Sequence, residues 1–149
     1  MKTRVKWVDG VSFVGESGSG HSILMDGAPD NGGRNIGMRP METLLTGAAA
    51  CTAYDVVTIL KKGRHPVTDV VVTIEGTRAD TSPRVFTALH YVYLVAGRSL
   101  DRRHVERAVE LSKEKYCSAT IMLGKTATIT YEIEMIEGDR VPEPPAPKA

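Results

Sequence analysis

The chain has 149 residues, 42% of them apolar and 25% charged, with a formal net charge of +1 and only two cysteines. That length fits one ordinary domain, and a charge this close to zero gives no reason to expect nucleic acid or a membrane surface as partner. Two cysteines are too few for a disulfide-stapled secreted scaffold, and no apolar leader follows Met1, so the expectation is a cytoplasmic chain with reduced thiols.

Residues 2–8 alternate Thr3, Val5 and Trp7 against Lys2, Arg4 and Lys6, the period of a half-buried strand. Asp9-Gly10 is a two-residue hairpin signal with the returning strand from Val11. Gly15–Gly20 (GESGSG) predicts a turn rather than a phosphate cradle, because its spacing is not G-x-G-x-x-G and no helix follows. A short apolar strand spans 22–26, and Gly27–Met38 is a glycine- and asparagine-rich loop. Its length suits either a connector or a wall for a site.

Arg39–Lys62 (RPMETLLTGAAACTAYDVVTILKK) is the longest apolar stretch of the chain. Pro40 suits a first helical turn, Glu42 the positive end of the dipole, and Lys61-Lys62-Gly63 a C-terminus. Apolar and small residues cover nearly the whole circumference from Leu44 to Leu60, which predicts a buried helix. Asp55 interrupts the run, which falls short of the ~20 apolar residues of a bilayer span. Cys51 sits mid-helix.

Strands follow over 66–77 and 85–96, the second apolar on both faces and expected to be central. An amphipathic helix capped by Ser99 or Asp101 runs to about Lys115. Cys117 then precedes a second helical segment, Ser118–Leu123, and 127–135 alternate as a strand. Residues 138–149 form a proline-rich tail behind a single domain over 1–137. The order β-β-β-α-β-β-α-α-β indicates an α+β fold.

Cys51 and Cys117 are 66 positions apart, so spacing alone does not say that they meet. Inert core packing is one reading, since free cysteine is among the most buried residue types. Reactivity is the other. A helix starting at Ser118 would lower the Cys117 pKa through its N-terminus, while Asp55 would oppose a Cys51 thiolate if the two approached. A reactive Cys51 then needs a cation, with Arg39, Arg34 or Lys115 as candidates. The four histidines show no metal-ligand spacing with each other or with the cysteines, so no metal is expected.

The segment Pro40-Met41-Glu42 through Ala50-Cys51-Thr52-Ala53-Tyr54-Asp55 resembles the cysteine-helix motif of the OsmC/Ohr superfamily of thiol peroxidases. Ser112-Lys113-Glu114-Lys115-Tyr116-Cys117-Ser118 is similar to that family's second cysteine motif. Val5-Lys6-Trp7 and Gly20–Gly27 are most similar to its YhfA-like branch. The resemblance implies an OsmC-like fold assembled as an intertwined homodimer with sites at the subunit interface. It implies a peroxidatic Cys51 and a resolving Cys117 acting on organic hydroperoxides or hydrogen peroxide. It further implies an external dithiol as reductant, with no bound cofactor. Two positions depart from the family pattern. Met41 follows the proline where the family has glutamate, with Glu42 one place on, and the N-terminal strands offer no arginine where the family supplies one. Arg39 and Glu42 are the substitutes expected at the site. The alternative from another class is an OsmC-fold protein that binds a small molecule or senses redox state without peroxidase turnover.

Overall fold

The computed structural model describes residues 1–143. Two compact units divide the chain, Met1–Thr46 and Gly47 onward. The N-terminal unit holds β1 (Thr3–Asp9), β2 (Ser12–Ser17) and β3 (Ser22–Met25), an antiparallel meander in the order β1-β2-β3. The turn between β1 and β2 is Gly10-Val11, one residue later than the Asp9-Gly10 signal suggests. Val8 bulges out of register, and Gly10 takes the positive φ of 52° that a tight hairpin requires. Much of the expected GESGSG turn is strand, because Gly15 and Glu16 pair with Ile23 and Ser22 on β3. β1 is exposed on both faces, with Val5 at 60% and Trp7 at 62%. The half-buried expectation fails for β1, every residue of which is exposed.

The long helix α1 covers Pro40–Lys62. Its start is an N-terminal capping arrangement, in which Glu42 Oε2 accepts from the Arg39 backbone N–H at 2.9 Å. At its end Arg64, not Gly63, adopts the left-handed conformation (φ 56°), and the His65 N–H closes on Leu60 O at 3.0 Å. Gly63 is small for a different reason: a Cβ there would come within 2.6 Å of the His65 ring. The all-round burial expected of α1 is not observed. Only Ala48, Thr52, Val56 and Leu60 are buried, a stripe at four-residue spacing, while Tyr54 is 72% exposed. α1 has the 23 residues its sequence signals predict, but the apolar run expected to fall short of a bilayer span has the length and composition of one. The core helix of a folded domain passes the same test, and one polar member of its buried stripe, Thr52, bonds to the protein interior.

The second unit is built on β4 (Val67–Arg78), β5 (Phe86–Gly97) and β6 (Thr128–Glu137). β5 is central as expected, antiparallel to β4 and parallel to β6. A parallel neighbour requires a crossover. Here it contains α2 (Arg102–Leu111), a π turn over Ser112–Tyr116 and α3 (Ser118–Leu123). Asp101, rather than Ser99, caps α2 by accepting from the Arg103 N–H at 2.9 Å. One face of β5 is buried through Leu89, Tyr91, Tyr93 and Val95, whereas Val92 and Leu94 opposite are half-buried, so the strand is fully covered on one side only. Of the proline-rich tail, residues 144–149 lie outside the described residues. Val141 is tied to β4 by its N–H to Asp69 Oδ2 at 3.0 Å.

Candidate active site

Both cysteines belong to the second unit, and both are free thiols. Cys51 is half-buried on α1; Cys117 is fully buried at the N-cap of α3. The two thiols are near enough for Cys51 to act on the titration of Cys117. Local backbone geometry places Cys117. The π turn ends with its N–H on Ser112 O at 2.7 Å, and α3 begins at the next residue. Such single π turns inside helical segments are common at functional sites.

The α3 start is where sequence reasoning put it, but the expected fall in the Cys117 pKa does not follow. Burial pushes the thiol up, and the neighbouring Cys51 adds to that, against hydrogen bonds from Thr120 that pull it down. Desolvation wins because α3 has only six residues and the sulfur is shut off from water. Cys117 is therefore a thiol, not a thiolate, at neutral pH.

Two hydrogen-bonded chains run through this part of the core, one of them including Cys117. In one, Thr52 Oγ1 meets Tyr93 Oη at 2.8 Å and Ser112 Oγ at 2.9 Å, and Ser112 donates to Asp55 Oδ2 at 3.0 Å. Asp55, expected to oppose a thiolate if near it, thus accepts from Ser112. In the other, Cys117 Sγ lies 3.1 Å from Thr120 Oγ1, which donates to Tyr91 Oη at 3.3 Å. Tyr91 and Tyr93 are stacked neighbours on the buried face of β5, ring centroids 6.2 Å apart. Burial raises the pKa of both. Sequence reasoning read only an apolar central strand over 85–96 here and gave Thr52, Ser112 and Thr120 no part. Their adjacency depends on tertiary contacts 29 to 60 residues apart.

Arg39 and Glu42 lie in the N-terminal unit and are paired with each other, Nη1 to Oε1 at 2.6 Å. The Arg39 backbone N–H and guanidinium both hold the Glu42 carboxyl below its usual range. Of the other candidate cations, Arg34 contacts Asp9 at 3.5 Å and Ser12 at 3.3 Å, and Lys115 lies over the Tyr116 ring at 5.4 Å. His65 and His104 stack at 3.8 Å, which their spacing did not reveal.

The matching of known proteins follows the same elements. A family model described as OsmC-like protein matches residues 31–132. The chain belongs to the OsmC-like family. It is 48% identical to Protein YhfA of Escherichia coli strain K12 over 136 residues, covering 91% of this chain and 98% of that one. An OsmC-like fold is shared with a hypothetical protein from Aquifex aeolicus VF5 at 26% identity and TM-score 0.80, covering 92% of this chain and 96% of that one. It is also shared with the organic hydroperoxide resistance protein OhrB of Bacillus subtilis at TM-score 0.62, covering 90% and 98%, where 17% identity speaks for the fold alone. The matched span, residues 31–132, takes in α1, the π turn and α3.

Proposed function

We propose that this OsmC-like protein is a thiol peroxidase-type redox protein acting on organic hydroperoxides or hydrogen peroxide through Cys51 and Cys117. The observation that supports it is two free thiols of unequal access, Cys51 half-buried and Cys117 fully buried, with Cys51 near enough to act on the titration of Cys117. The more accessible sulfur meets the peroxide. Its thiolate attacks one peroxide oxygen, the O–O bond breaks, and an alcohol leaves with Cys51 as a sulfenic acid. Cys117 then condenses with it to a disulfide, releasing water, and an external dithiol restores both thiols. In this reading the protein works in the cytoplasm as a homodimer and needs no bound cofactor.

The test is consumption of cumene hydroperoxide and hydrogen peroxide by the reduced protein with a dithiol present. Cys51→Ser is expected to abolish consumption. Cys117→Ser is expected to leave a Cys51 sulfenic acid that dimedone labels. A wild-type protein consuming neither oxidant sinks the reading. Arg39 and Glu42 enter it as the thiolate-supporting ion pair. Arg39→Ala that lowers turnover while sparing thermal stability supports that role, and the reverse pattern leaves them as a helix cap.

Two observations favour a second reading, an OsmC-fold redox sensor or small-molecule binder without turnover. Cys117 is a buried thiol held above its ordinary pKa, and Arg39, the expected activating cation, is paired with Glu42. Retention of full ligand binding or cellular function by Cys51→Ser would select this reading.

A further inference from the structure

Disulfide formation by Cys117 has a proton problem. The sulfur is fully buried and protonated at neutral pH, so bulk water cannot collect its proton as it attacks. The Thr120 chain supplies a route. A hydroxyl has one proton to give, and that of Thr120 is directed at Tyr91 Oη at 3.3 Å. In the 3.1 Å contact between Cys117 Sγ and Thr120 Oγ1 either atom can donate, and while the Thr120 proton is on Tyr91 the thiol is the donor. The order runs Cys117 S–H to Thr120 O–H to Tyr91, and the Tyr91 proton is left at the end of the chain. Tyr91 is 1% exposed, and Cys117 and Cys51 are both near enough to help raise the pKa of its hydroxyl.

We propose that Thr120 and Tyr91 form a proton relay that carries the Cys117 thiol proton to the group leaving Cys51, an inference that rests on the redox reading above. The Cys117–Cys51 S–S bond forms as the S–O bond of the Cys51 sulfenic acid breaks. The thiol proton passes to Thr120 oxygen, the Thr120 proton to Tyr91 oxygen, and the Tyr91 proton to the departing hydroxide, which leaves as water. Cys117 is oxidised, the Cys51 sulfenic sulfur is reduced, and Thr120 and Tyr91 end as neutral as they began. No member of the chain has to ionise in the buried site, which is what burial would forbid.

The experiment separates oxidation of Cys51 from closure of the disulfide in single-turnover mixing, using cumene hydroperoxide in one arm and diamide in the other. Tyr91→Phe keeps the ring that fills the core, and Thr120→Val keeps the side-chain volume. In both, Cys51 oxidation is expected at the wild-type rate, with disulfide closure slower by at least about tenfold at neutral pH. Without the relay, closure must wait for ionised Cys117, so its rate should climb about tenfold per pH unit between about pH 6 and 8. Thr120→Ser, which restores the hydroxyl, should return closure to near the wild-type rate and pH profile. The other ionisable groups around the relay are Cys51, Tyr93 stacked on Tyr91, and Asp55 bonded to Ser112. Tyr93 stays neutral over that window because burial raises its pKa. Closure at the wild-type rate in both variants overturns the relay, as does slowing with an unchanged pH profile, the mark of a displaced sulfur. If diamide closes the wild-type disulfide and hydroperoxide does not, the peroxidase reading falls and the diamide arm alone judges the relay. If neither oxidant joins the two cysteines, both fall.

Discussion

Asp26 shows how far one side chain can organise its surroundings. It is 1% exposed and accepts from Ser12 Oγ at 2.9 Å, from the Arg34 N–H at 2.8 Å and from the Ile36 N–H at 3.3 Å. Burial works against its charge, but these donors outweigh burial and hold the carboxyl at about 2, from an ordinary 3.8. A lowered folded-state pKa stabilises the protein above the unfolded value, and that stability is lost as pH falls toward the folded one. Wild-type melting temperature should therefore drop between about pH 4 and 2, a window set by the ordinary carboxylate and the shifted one. Asp26→Asn should melt lower at neutral pH and lose less across that window. Parallel melting curves for the two proteins, followed by circular dichroism against pH, would remove this role. None of it was legible in the sequence, where Asp26 was only the end of a strand. The donors lie 8 to 14 residues away, and the glycine-rich loop between looks featureless until it closes on the carboxylate.

At the scale of elements, the signals that were legible are those decided within a few residues. Pro40 and Glu42 marked the start of α1, and the alternation over 127–135 marked β6. The buried stripe of α1 was not legible, because a helix apolar on every side has no period to read. Its most constrained member is polar. Thr52 is fully buried between Tyr93 and Ser112, and its hydroxyl is satisfied by both. The π turn was equally hidden: one extra residue in a helical turn leaves no local pattern, yet it sets Ser112 toward Thr52 and Cys117 at the head of α3. Thr52→Val preserves volume and strips both hydroxyls of a partner, so it should lower stability by about 1–3 kcal/mol, seen as a lower urea midpoint at unchanged slope. Tyr93→Phe combined with it should cost less than the two single changes together, because they share one hydrogen bond. An unmoved midpoint for Thr52→Val would show that Thr52 is mere filler.

For the whole molecule, element order was readable from end to end, whereas association was not, because a chain's periodicity is the same whichever molecule covers its apolar face. The exposed side chains supply what periodicity lacked. Val5, Trp7 and Val8 on β1 are 54–62% exposed, and Tyr54 on α1 is 72% exposed. Tyr54 follows Thr52 by two positions, about 200° around a helix of ~3.6 residues per turn, so it faces away from the buried stripe. Large apolar and aromatic groups so placed favour the homodimer proposed above, since a second copy would cover the outer face of α1. Light scattering on the eluting protein should then report twice the 16.2 kDa chain mass. Tyr54→Arg places a charge on that face without touching Ala48, Thr52, Val56 or Leu60, and should shift the mass to a single chain with helical content retained. A wild-type protein at the mass of one chain, or a variant still at the mass of two, would mean that this face of α1 is not what holds two copies together.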